Sequence, residues 1–261
     1  MFLPSLAAAL VLASSPASAL QVLAVYDWST ATANALLDDE GVGGDNNDGW
    51  VNAGGGGTGI DDFVRDTGQP VGFSGNFFSS EGSQDDTYLR PNDGTFGYAI
   101  PSSAETIVLS YVLTMDSVDF ALVGLFGPAL TFGATSPGFW GVRGSDGVKH
   151  ESVATGAAAL DATTRSYRAT LTLDMTPIGT TKLAALVVEN LSDGGAEQIL
   201  SNQPVELGLT DPALWDQLFL RVNDQAMDDF TIAVPEPGAS ALIAFVCLTG
   251  AAAGRRVRRA R

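Results

Sequence analysis

Between Ser166 and Met175 apolar and polar residues alternate without a break. Tyr167, Ala169, Leu171, Leu173 and Met175 hold one set of positions, and Arg168, Thr170, Thr172 and Asp174 the other. Only an extended strand, whose side chains point to opposite faces in turn, gathers those two sets onto two surfaces; a helix would scatter both around its axis. Thr106 to Met115 repeats the pattern, with Ile107, Leu109, Tyr111, Leu113 and Met115 on one face. Val118 to Phe126 follows after a turn at Asp116-Ser117 and is predicted to be its hairpin partner. Lys182 to Asn190 is more continuously apolar, which predicts a central strand covered on both faces. Further apolar stretches at Gln21 to Trp28, Val71 to Phe78, Thr95 to Ile100, Gln217 to Val222 and Phe230 to Ala233 complete the set. Asp38 to Gly59 is acidic and glycine-rich and is predicted to be loop. Helix signals are confined to Ala31 to Leu37 and to one turn from Asp211-Pro212 through Trp215. Short strands at this spacing argue for an all-β chain, an antiparallel β-sandwich of about 210 residues in one domain.

The two ends have a different character. Met1 to Ala19 reads as a secretory signal peptide, with Leu6 to Ala13 as its apolar segment and Ala17-Ser18-Ala19 as the cleavage site. No Lys or Arg precedes that apolar segment, so the α-amino group supplies the positive charge. At the other end, residues 234–261 carry three parts in order. Pro235-Glu236-Pro237 comes first, then the uncharged run 238–254, then the basic tail 255–261 with Arg255, Arg256, Arg258, Arg259 and Arg261. The prolines lack an N–H and restrict the residues before them, so the tripeptide is predicted to be an accessible linker. As a helix the uncharged run spans roughly 25 Å, enough for a short transmembrane segment. The arginines then act as a stop-transfer cluster held on the cytoplasmic side. Residues 20–233 are accordingly predicted to be an exported domain.

The tail resembles the PEP-CTERM sorting signal, a motif also catalogued as an ice-binding-protein C-terminal domain. The resemblance implies recognition by an exosortase-type membrane peptidase, a transient stay in the inner membrane, and release to the cell surface or beyond. It also implies a Gram-negative bacterium that makes exopolysaccharide, so a carbohydrate-rich matrix becomes an expected partner. At the level of strand pattern the body resembles the jelly-roll sandwiches of concanavalin-like lectins and laminin-G-like modules. That likeness rests on GTFGYAIPSSAETIVLSYVLTMDSVDFALVGLFG and the closing MDDFTI. It implies a jelly-roll-like fold and a lean toward carbohydrate.

The formal charge is −17, and setting aside the five tail arginines leaves 8 basic against 30 acidic residues, a balance of −22. Such a surface repels nucleic acid and anionic lipid. The one cysteine, Cys247, lies in the apolar run of the tail, so no disulfide can form within residues 20–233. One histidine, His150, and no G-x-S-x-G elbow leave a serine triad or a zinc site without its parts, and His150 is expected to be a solvent-facing strand or loop residue. Asp45, Asn47 and Asp48 concentrate oxygen ligands in a glycine-rich loop, which suits one structural calcium; a solvated acidic loop is the alternative. Trp28, Trp50, Trp140 and Trp215 are candidates for stacking on sugar, with Trp140 best placed in Gly138-Phe139-Trp140-Gly141. The expected function is a non-enzymatic surface or matrix protein. The alternatives are a secreted polysaccharide-active enzyme on the same fold and a permanently anchored single-span envelope protein.

Overall fold

In the computed structural model of the chain, the structure describes residues 20–26, 28, 50–52, 62–80, 84–89, 100–125, 130–211 and 218–235. Two sheets account for the strands. One holds β1 (Leu20–Tyr26), β3 (Asp62–Arg65), β4 (Phe77–Ser80), β6 (Thr106–Met115), β11 (Arg165–Asp174), β12 (Thr181–Asn190), β13 (Ala196–Glu206) and β15 (Ala226–Pro235). The other holds β2 (Trp50–Asn52), β5 (Gln84–Leu89), β7 (Ala121–Leu125), β8 (Leu130–Ser136), β9 (Phe139–Arg143), β10 (Lys149–Ser152) and β14 (Leu218–Asn223). The first runs β13-β12-β11-β6-β15-β4-β3, with β1 off that path against β15; the second runs β10-β9-β8-β7-β14-β5-β2. The registers that link β2 through β15 are antiparallel. The described residues contain no helix. The compact body is Val22–Val234.

The sheets face each other across one core, a β-sandwich. Ile107, Leu109, Tyr111 and Leu113 of β6 and Tyr167, Ala169, Leu171 and Leu173 of β11 turn inward, in the alternation that the sequence predicts. They meet Val123, Phe132, Ala134, Trp140, Val142 and Leu220 of the other sheet. Removing that apolar area from water, at about 25 cal/mol per Å², is what holds the layers together. Two aromatic contacts cross the gap edge to face, Tyr111 on Phe132 at 5.2 Å and Trp140 on Tyr167 at 5.3 Å. The buried Tyr111 hydroxyl lies 3.0 Å from Phe132 O and 3.3 Å from Ala121 O, so a side chain of the first sheet bonds to backbone of the second.

Several expectations are corrected. Val118 to Phe126 is no hairpin partner of β6: the chain turns a corner, and β7 pairs with β8 and β14 in the opposite sheet. Asp116 Oδ1 caps the corner by accepting from the N–H groups of Val118 at 2.9 Å and Asp119 at 3.2 Å. Asp119 then anchors it, accepting from Asn223 Nδ2 at 2.6 Å and Gln225 Nε2 at 2.8 Å at the end of β14. The stretch Asp38 to Gly59 contains β2 at Trp50–Asn52. Val71 to Phe78 yields strand only from Phe77, because a turn at Val71-Gly72, with Gly72 at φ 84°, precedes it. Lys182 to Asn190 is not covered on both faces: Ala184, Leu186 and Val188 are buried while Leu183, Ala185 and Val187 are half-buried, since β12 lies next to the edge strand β13. Lys182 itself points inward, its ammonium donating to Met175 O at 3.1 Å and Pro177 O at 2.6 Å. Pro235 is the last residue of β15 and not part of a linker beyond it, a place where a strand tolerates a missing N–H. The predicted helices at Ala31 to Leu37 and Pro212 to Trp215, and residues 95–99, lie outside the described residues.

Candidate functional site

On the second sheet, period two separates an inner from an outer face. Ala121, Val123, Ala134, Val142, Leu220 and Val222 face the core. Their neighbours Leu122, Thr135, Arg143 and Arg221 therefore face outward, and together with Phe120, Ser136, Pro137 and Lys149 they line a pocket of about 280 Å³. The register explains why they converge. Arg143 of β9 and Lys149 of β10 are direct Cα partners, as are Arg221 of β14 and Leu122 of β7. A Cβ on Gly141 would come within 2.4 Å of His150 O and 3.1 Å of Thr135 Oγ1, so glycine is what lets β8, β9 and β10 close up at this point.

The electrostatics of the pocket are unusual for this chain. Three of the eight basic residues outside the tail line it. Like charges directly opposite on neighbouring strands repel, so Arg143 and Lys149 need compensation. Lys149 has it: its Nζ donates to Thr135 O at 2.7 Å and Ser136 Oγ at 2.8 Å, and lies 3.5 Å from Glu151 Oε1. Ser136 in turn donates to Glu151 at 2.6 Å. Burial alone would push the Glu151 carboxyl up, but the Ser136 hydroxyl and the Lys149 ammonium outweigh it and hold the group below the usual carboxylate range. Arg221 lies over the Phe219 ring, 5.9 Å from its centroid. Arg143 is different. Its Nε is buried with no hydrogen-bond partner, and no ion pair reaches it among the described residues.

A second pocket, of about 490 Å³, lies at the edge of the first sheet, between Arg65, Phe77, Ser80, Thr114, Asp224 and Gln225. Its buried polar groups satisfy one another. Thr114 Oγ1 donates to Gln225 Oε1 at 3.0 Å and accepts from Ala226 N at 2.8 Å, while Gln225 Nε2 donates to Asp119. Desolvation raises the Asp119 carboxyl above its ordinary value even so.

The sequence-predicted sites fare unevenly. Trp140 is no sugar platform: it is 0% exposed, because period two in β9 turns it inward with Val142 and leaves Phe139 outside. Its indole Nε1 donates to Ala158 O at 2.8 Å. Trp28 is likewise buried and stacks on Phe78 at 5.5 Å. The side chain of Trp50 and all of Trp215 lie outside the described residues. His150 is a half-buried residue of β10, its Nδ1 3.0 Å from Gln203 Nε2. The calcium ligands Asp45, Asn47 and Asp48, the cleavage residues Ala17 and Ala19, Glu236, Pro237 and Arg255 to Arg261 also lie outside. Among the described residues no group of three His, Cys, Asp or Glu is placed to hold a metal, and no helix is long and apolar enough to cross a membrane. The cationic pocket went unseen because its three cations are scattered over β9, β10 and β14; the only sequence signal was how few cations the chain has to place.

Fold and pocket together define an all-β sandwich with a cationic depression on the outer face of one sheet. No family model matches the chain, and no curated protein does. Among solved structures it is similar to the binding domain of botulinum neurotoxin serotype D, at 13% identity and a TM-score of 0.36, over 69% of this chain and 44% of that one.

Proposed function

We propose that the protein is an exported surface or matrix protein whose sandwich binds carbohydrate and performs no chemistry. It is tethered in the inner membrane by residues 238–254 and cut by an exosortase-type peptidase near Pro235-Glu236-Pro237. The observation that carries this reading is the order of proline-flanked glutamate, uncharged run and arginine cluster in residues 234–261. The compact body supports it by ending at Val234, one residue before that signal. A signal has to be reachable by a membrane peptidase, and one that begins at Pro235, the last residue of the closing strand, lets a cut beyond it leave the sandwich undisturbed. The jelly-roll-like winding of the sandwich belongs to the same proposal, supported by the repeated crossing of the chain between sheets at β6-β7, β10-β11 and β14-β15.

The test is the intact mass of the protein recovered from a Gram-negative host with and without an exosortase-type peptidase. With the peptidase the mature chain should lack Arg255 to Arg261; without it those residues should remain and the protein should stay in the membrane fraction. Retention of the arginines in the presence of the peptidase would overturn the reading.

A further inference from the structure

Arg143 presents a problem that the folded chain leaves unsolved. A guanidinium carries five donors, and the desolvated Nε–H of this one has no acceptor among the described residues. Buried donors are normally satisfied, and leaving one unmet is costly. Placing Lys149 directly opposite adds repulsion that a strand pair would ordinarily avoid. Glu151 does not relieve it, since its carboxylate is taken up by Ser136 and Lys149. Both features are explained if a partner from outside compensates the guanidinium charge where Arg143 lines the pocket.

We infer that the pocket lined by Arg143, Lys149 and Arg221 binds the carboxylate of an acidic sugar, a uronate residue in an anionic polysaccharide. The inference rests on the carbohydrate reading above and names its ligand class. Three features of the site select that class. The guanidinium fork of Arg143 matches the two oxygens of a planar carboxylate, with Lys149 as a second point charge. The Ser136 hydroxyl suits a sugar hydroxyl, and Phe120 and Leu122 offer an apolar wall to a ring face. The volume of about 280 Å³ admits one sugar residue and leaves the rest of a chain in solvent. The acidic remainder of the surface repels a polyanion, so contact is confined to this depression and weakens with salt.

Calorimetric titration of the full exported protein with trigalacturonate, with a neutral trisaccharide and with inorganic phosphate tests this. Trigalacturonate should bind at least tenfold more tightly than either of the others. Arg143→Gln should weaken it at least tenfold and Lys149→Gln, which leaves the fork in place, at least threefold. Arg168→Gln, at an exposed ion pair with Glu189 on the other sheet, should leave it unchanged. Equal binding of the neutral sugar, or an Arg143→Gln protein that melts normally and binds as before, would overturn the uronate assignment while leaving the carbohydrate reading standing. Phosphate binding as tight as trigalacturonate would make this a general oxyanion site and overturn the assignment too. Failure of both sugars to bind would sink the carbohydrate reading with it.

Discussion

Trp140 shows how little a residue's local company says about its place. Flanked by Gly138, Phe139 and Gly141 it looks like a presented aromatic, yet one step of strand register turns it into the core. There its indole donates to Ala158 O and its ring meets Tyr167. Trp140→Ala should cost about 3–5 kcal/mol, the range for large-to-small changes in a packed core. Trp140→Phe should cost less, about 1–3 kcal/mol, chiefly by leaving a buried carbonyl without its donor. Urea unfolding distinguishes these; a loss below about 1 kcal/mol for Trp140→Ala would contradict a core role. Gly133 belongs to the same scale. Its φ of 133° and the 2.0 Å that would separate an added Cβ from Tyr111 Oη show that a side chain there would break the inter-sheet hydroxyl contact.

Among the elements, β15 is the most instructive. Its register to β6 jumps between Asp228 and Thr231, and Asp229 sits at φ 53°, so the strand carries a bulge in its middle. The bulge buries Asp228 to 1% exposure, where Oδ2 accepts from Ser74 N at 2.8 Å and Oδ1 from Asp229 N at 2.8 Å. A carboxylate thus ties the segment before β4 to the closing strand. Asp228→Ala should destabilise by about 2–3 kcal/mol, because the freed backbone donors lose a charged acceptor, and should speed protease cleavage within residues 66–76. Unchanged cleavage there, measured by limited proteolysis under native conditions, would remove this role. The strand β13 leaves no comparable mark in the sequence. As an edge strand it carries Gln198, Ser201, Asn202, Gln203 and Pro204 and buries only Val205 fully, so it shows no apolar period.

For the whole molecule the acidic balance translates into a pH dependence. Hydrogen bonding to the Arg165 guanidinium lowers the Asp161 carboxyl from the ordinary 3.8 to about 2. The hydroxyl of Thr176 lowers Asp174, and those of Thr180 and Thr181 lower Glu206. A carboxyl depressed by folding contributes stability above its unfolded value and loses it as pH falls through its folded value. Melting temperature should therefore drop between roughly pH 4 and pH 2. Asp119, raised by desolvation, acts in the opposite direction and blunts the drop. In Asp161→Asn the drop should be shallower. Melting curves across that range that are as steep for the variant as for the parent would rule out the Asp161–Arg165 pair as a source.

The alternation in Thr106 to Met115 and Ser166 to Met175 decided, from sequence alone, that the chain is β and which side chains of those strands are core, because the side-chain period of a strand is a local property. Which sheet each strand joins is not local. The corner at Asp116 to Phe120 depends on Asp119 meeting Asn223 and Gln225, about a hundred residues further along. Only the tertiary structure could bring Arg143, Lys149 and Arg221 to one depression, since strand partnership, not spacing in the chain, sets which outward-facing residues become neighbours.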